Sequence, residues 1–100
     1  MKVNRASVDQ IEEFIKNNNG WSVSENKLHK EFVFADFSQA FAFMTSIATY
    51  AEENDHHPEW SNVYKLVVVD LTTHVVSGIS ERDFLLAEEM DSVAYRMGQS

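Results

Sequence analysis

Three features of the chain predict an α+β fold, an antiparallel sheet with helices packed on one face. Phe37 to Ala51 and Leu86 to Met97 carry the 3.6-residue apolar period of helices, and a shorter periodic stretch begins at Val8. Trp21 to Phe34 alternates as strands do, and Val63 to Leu71 is rich in β-branched residues. The order is then helix, hairpin, helix, two strands, helix. Strands grouped in pairs between helices make an antiparallel layer, four strands beneath three helices.

Each element has a local reason. Ser7-Val8-Asp9-Gln10 has the form of a capping box, ahead of apolar positions at Val8, Ile11, Phe14 and Ile15. That helix is expected to close in Asn17-Asn18-Asn19-Gly20, because Asn and Gly accept left-handed backbone. Trp21 follows as a core anchor. Ser24-Glu25-Asn26-Lys27 is a turn; beyond it Leu28, Lys30, Phe32 and Phe34 alternate with His29, Glu31 and Val33. His29 is therefore a half-exposed strand residue.

Asp36 caps the second helix. Phe37, Ala40, Phe41, Met44, Ile47, Ala48 and Ala51 form its apolar face, while Phe43 and Tyr50 lie off that stripe. A helix apolar on two sides is expected to be covered twice, and a contact between subunits at Phe43 and Tyr50 is the expectation. Val63 to Leu71 reads as one strand, Thr72 to Val76 continues or pairs with it, and Ser77-Gly78 breaks it. Ser80 opens the last helix, whose buried stripe is Leu86, Ala87, Met90, Val93, Ala94 and Met97. The tail Gly98-Gln99-Ser100 is expected to fray.

Bulk properties narrow the function classes. One hundred residues suit a single domain over 1–100. A net charge of -8 with scattered basic residues argues against direct nucleic-acid binding, which needs clustered Lys and Arg. No apolar run is long enough to span a bilayer, and the start lacks the core of a secretion signal. The absence of cysteine excludes disulfides and thiolate chemistry. A cytoplasmic location is the expectation. With three glycines there is no phosphate-cradling loop, and no Ser-His-Asp order is recognisable.

The chemistry concentrates between the second helix and the following strand, in Glu52-Glu53-Asn54-Asp55-His56-His57-Pro58-Glu59-Trp60. Proline pushes the residue before it to extended geometry, and neighbours in an extended segment point opposite ways. His56 and His57 are thus expected to do different work, with His74 downstream able to join them. Three uses are open. Imidazoles titrate near neutrality and suit acid–base catalysis, with Glu52, Asp55, Glu59 or Asp83 to orient them. Three histidines and a carboxylate can hold zinc or iron, although no H-E-x-x-H pair exists and adjacent histidines converge poorly on one ion. Or the histidines are structural. Asp83, third after Ser80, is explained by helix capping alone.

The run Asp55-His56-His57-Pro58-Glu59-Trp60, then Asn62-Val63-Tyr64, Thr73-His74 and Gly78-Ile79-Ser80-Glu81-Arg82-Asp83-Phe84, resembles pterin-4a-carbinolamine dehydratase. The likeness extends back through Gly20-Trp21, Asp36-Phe37, Ala40-Phe41 and Phe43-Met44, covering roughly residues 20 to 95 in order. It implies a four-stranded antiparallel sheet with three helices. It also implies loss of water from a 4a-hydroxytetrahydropterin to give quinonoid dihydropterin, in tetrahydrobiopterin recycling after aromatic amino-acid hydroxylation, with no cofactor and no metal.

The resemblance assigns His56 and His74 as proton donors and His57 as a catalytic and substrate-binding partner. Asp55 and Thr73 match residues lining the pterin site, and Glu52 and Asp83 match supporting acids. Val75 departs from relatives that carry an acid after the histidine. A homodimer or homotetramer is implied, with no direct nucleic-acid or membrane partner. Some members also serve as dimerisation cofactors of a transcription factor, so a binding module with a vestigial pterin pocket is the alternative.

Overall fold

Two tight hairpins build the sheet of the computed structural model, which describes residues 2–98. β1 (Ser22–Ser24) turns into β2 (Lys27–Val33) through Glu25 and Asn26, left-handed at φ 51° and 64°. Two-residue turns of this hand match the twist of the strands they join. β3 (Glu59–Val63) turns into β4 (Leu66–Leu71) at Tyr64-Lys65, with Tyr64 at φ 52°.

The single strand expected from Val63 to Leu71 is therefore two strands, the first starting at Glu59. No glycine marks the turn. Asn62 Nδ2 braces it instead, donating to the carbonyls of Tyr64 at 3.0 Å and Leu66 at 2.9 Å. Thr72 to Val76 does not continue β4 as a strand either. His74–Val76 form a single 3-10 turn, closed by Val76 N to Thr73 O at 3.2 Å and Ser77 N to His74 O at 3.0 Å.

The strands run in the order β1-β2-β4-β3, each pair antiparallel. Cross-strand partners share a face. Leu28 with Leu71 and Phe32 with Val67 point to the covered face, while His29 with Asp70 and Val33 with Leu66 point to the open one. α1 (Val8–Asn17), α2 (Phe37–Glu53) and α3 (Glu81–Arg96) supply the cover. Phe14, Phe43, Ile47, Leu86 and Met90 join the sheet residues in one apolar core.

The caps stand where the side chains demand. Gln10 N donates to Ser7 Oγ and Ser7 N to Gln10 Oε1, a complete capping box. Asn18 closes α1 with its side chain, Nδ2 donating to Phe14 O at 2.8 Å, and Gly20 takes the left-handed backbone at φ 91°. Val8, expected on the buried stripe, is exposed. Gly98 is left-handed at φ 92°, whereas Gln99 and Ser100 of the expected frayed tail lie outside the described residues.

α2 is rotated from its expected setting. Its core face is Ala40, Phe43, Ile47 and Ala51, and Phe43 is fully buried between Phe32 and Phe34, with ring centroids 4.9 Å away in each case. Tyr50 is half-buried against the same core. Phe37 and Phe41, assigned to the core stripe, are 50% and 56% exposed and pack on each other at 5.7 Å. Ala48 is exposed too. Apolar residues on both sides leave the helical period unable to choose a face. Among the described residues no helix is long and apolar enough to cross a membrane.

Candidate active site

Strand register brings the histidines to one end of the sheet. Glu59, first in β3, pairs with Asp70, one residue from the end of β4. The segment entering β3 carries His56, His57 and Pro58, and the segment leaving β4 carries Thr72, Thr73 and His74. The two therefore emerge side by side. Asp55, left-handed at φ 48°, turns the chain out of α2, a backbone that short polar side chains accept.

The two adjacent imidazoles part company. His56 turns inward, with its side chain 10% exposed and its Nε2 2.7 Å from Oδ1 of the wholly buried Asp83. His57 turns outward and its Nε2 stands 2.6 Å from Glu52 Oε1, both side chains exposed. His74 lies on the surface, its Nε2 3.8 Å from Glu59 Oε2. Glu59 is held in turn by Lys27 Nζ at 2.6 Å, a bond that raises the lysine above its ordinary value.

Asp83 joins the two segments. Oδ1 faces His56, while Oδ2 accepts from Thr73 Oγ1 at 2.8 Å and from Ser80 N at 2.9 Å. The Thr73 hydroxyl donates its hydrogen bond to Asp83, so the 2.6 Å contact with Ser80 is donated by the serine hydroxyl. Ser80 Oγ also accepts from Arg82 N at 3.2 Å, which caps α3. One carboxylate thus does two jobs: it completes the capping box with Ser80 and accepts a hydrogen bond from His56. An ionised carboxylate only accepts, so His56 carries its proton on Nε2 and turns Nδ1 the other way.

Beside His56 is a small hollow of about 130 Å³, lined by Tyr50, Asn54, His56, Arg82 and Leu85. Burial first, then the Glu89 and Glu88 carboxylates, raises the Tyr50 phenol above its ordinary value. It is a protonated donor at neutral pH. No group of three or more His, Asp or Glu side chains placed to hold a metal occurs among the described residues.

Of the residues singled out in the sequence, His56 and Thr73 are each brought into contact with Asp83, and His57 meets Glu52. The side chain of Asp55 is exposed, and that of Thr73 is buried, its hydroxyl committed to Asp83 and Ser80. Ser80 was legible only as a cap; the same Ser-x-x-Asp spacing also signals that its neighbour's carboxylate points back towards the chain before the helix. Tyr50 was read in the sequence only as a subunit contact, Lys27 only as part of a turn and Arg82 only as a member of the family run.

Known proteins resemble the chain over most of its length. The family model described as pterin 4 alpha carbinolamine dehydratase matches residues 4–93. A Dinoroseobacter shibae protein provisionally named pterin-4-alpha-carbinolamine dehydratase is 58% identical over 77 residues, 75% of this chain and 79% of that one. A Solibacter usitatus protein of the same provisional name is 46% identical over 90 residues, 90% of this chain and 95% of its own length.

Among solved structures, a transcriptional coactivator/pterin dehydratase from Brucella melitensis superposes with a TM-score of 0.88 at 40% identity, covering 91% of this chain and 99% of that one. A pterin dehydratase-like protein described as a RuBisCO assembly factor in the alpha-carboxysome superposes at 0.65 with 25% identity, covering 82% of this chain and 94% of the other. By the family match and by these identities over most of its length, the chain belongs to the pterin-4a-carbinolamine dehydratase family.

Proposed function

We propose that the protein removes water from a 4a-hydroxytetrahydropterin, giving quinonoid dihydropterin, by proton transfer between histidines and the ring. The observation that carries this reading is Asp83, fully buried and bonded at once to His56 and to Thr73, the residue before His74. A carboxylate buried at an acid's cost supports a set imidazole, and family membership supplies the pterin.

The C4a–O bond breaks as a proton reaches the departing oxygen and the N5 lone pair forms the C4a=N5 bond; N5 then releases its own proton. Water leaves and no electrons change hands. Imidazoles give and take protons at neutral pH, so two of them meet the whole requirement. His56, its Nε2–H aimed at Asp83, offers Nδ1 to one side of the ring. His74, exposed beside Glu59, serves the other. His57, steered by Glu52, binds the substrate with Asp55. Thr73 enters through its buried hydroxyl, which holds Asp83.

In purified protein, His74→Ala is expected to lower kcat by ~10²-fold or more, and His56→Ala likewise. If the two serve opposite stereoisomers, racemic substrate shows a partial loss in each single variant and near-complete loss in the double one. Wild-type turnover in both single variants and in the double variant would overturn the reading.

A second reading, a self-associating binding module, draws on the exposed Phe37–Phe41 pair of α2 and on the words coactivator and assembly factor in the names of the structural neighbours. Dehydration no faster than the spontaneous reaction, together with a stable oligomer, would favour it.

A further inference from the structure

We propose that Arg5 is a positioning residue for His74, an inference that rests on the dehydratase reading. The His74 side chain is 85% exposed, and among the described residues the one charged partner of its ring is Glu59, 3.8 Å away. A ring held so loosely is aimed by its own backbone. That backbone is the 3-10 turn His74–Val76, and the turn is tied down from outside.

Arg5 Nε and Nη2 both donate to Val76 O, at 3.0 and 2.8 Å. The planar fork of a guanidinium makes this two-point grip directional, which a lysine ammonium cannot reproduce. Asn26 Nδ2 reaches the next carbonyl, Ser77 O, at 3.4 Å. The arginine is itself anchored: Arg5 forms an antiparallel bridge with Ser80, and Ala6 N donates to Ile79 O at 2.8 Å. Gly78 clears its path. A Cβ at that position would stand 3.2 Å from Arg5 Nε and 3.4 Å from both Arg5 Cδ and Asn26 Nδ2. The glycine is not left-handed, so close approach, rather than unusual backbone, is what calls for it. The segment before α1 thus clamps the turn that carries the second histidine.

The test compares full-length wild type with Arg5→Ala and Arg5→Lys, alone and in a His74→Ala background, by steady-state kinetics and by imidazole ¹H–¹⁵N spectra. Arg5→Ala is expected to lower kcat roughly 10-fold, short of the ~10²-fold that a misplacement of about 1 Å costs, while KM moves by less than about 3-fold. In the His74→Ala background the same change should alter kcat by less than about 2-fold, because the group it positions is already gone. Arg5→Lys should fall between wild type and Arg5→Ala, and it carries the comparison should the alanine variant not fold.

The His74 ring resonances should shift or broaden in Arg5→Ala while those of His29 stay put. A wild-type kcat in Arg5→Ala, an equal loss with and without His74, or unmoved His74 resonances would each overturn the proposal. If wild type itself does not dehydrate the pterin, the dehydratase reading fails instead, and the resonances alone decide whether Arg5 places the ring.

Discussion

Asp83 is the residue on which the site's geometry turns. Three donors converge on its two oxygens, from His56, Thr73 and Ser80, in a place that water does not reach. Asp83→Asn keeps the shape but sets an amide N–H against groups that already donate. Leaving buried donors unpaired costs about 1–3 kcal/mol each, so a loss of at least that size is expected in the denaturant midpoint. The same change frees the His56 tautomer, and turnover should fall by ~10²-fold. Undiminished stability would mean that these donors find other acceptors. Ser-x-x-Asp spacing made the capping half of this visible in the sequence. The imidazole half was narrowed only to Glu52, Asp55, Glu59 or Asp83, and by the family likeness to Glu52 and Asp83. Which of them meets His56 stayed open, because His56 and Thr73 reach Asp83 from other segments of the chain.

At the scale of elements, α2 carries the largest correction. Its caps were readable, with Gln39 N donating to Asp36 Oδ1 at 2.9 Å, because capping acts over three residues. Its rotation was not. Phe37 and Phe41 are as apolar as Phe43, and only docking on the sheet chose which ring to bury. Phe43→Ala should therefore cost about 3–5 kcal/mol in equilibrium unfolding, the loss typical of a buried phenylalanine. Phe41→Ala should stay within about 0.5 kcal/mol of wild type.

An interface, if α2 makes one, lies on the Phe37–Phe41 side and not at Phe43. Phe41→Glu is then expected to drive the protein to smaller species in sedimentation without unfolding it. An unchanged mass would remove this face from the assembly. The β3–β4 hairpin makes the same point in another form: an asparagine brace replaced glycine, so a stretch rich in strand-forming residues hid a turn.

Over the whole molecule, the sheet has one dry face and one wet face, and the wet one carries a titratable pair. His29 on β2 lies opposite Asp70 on β4, Nδ1 to Oδ1 at 2.9 Å, with Glu31 Oε2 3.5 Å from Nε2. The hydrogen bond to Asp70 raises the His29 value above 6.5; partial burial opposes it, and the Asp70 and Glu31 charges add to the rise. Because the folded value lies above the unfolded one, the stabilisation is complete below pH 6.5 and is lost as pH rises through the folded value. Asp70→Asn should thus be destabilising in mildly acidic solution, by no more than about 1 kcal/mol for a half-buried pair on the open face, and nearly silent in alkaline solution. A penalty independent of pH would show that Asp70 acts through packing and not through charge.

Local chemistry was enough to place the three helices, the β1–β2 turn and the outward setting of His29, since caps, turns and alternation act within about four residues. It was also enough, through the ordered Asp55-His56-His57-Pro58 and Thr73-His74 runs, to point to a pterin family. What required the folded chain was everything that depends on one segment meeting another: the pairing of Glu59 with Asp70 that sets the two histidine segments abreast, the side of α2 that is buried, and the choice of Asp83 as their common acceptor. Those contacts follow from register and packing, which no short stretch of residues contains.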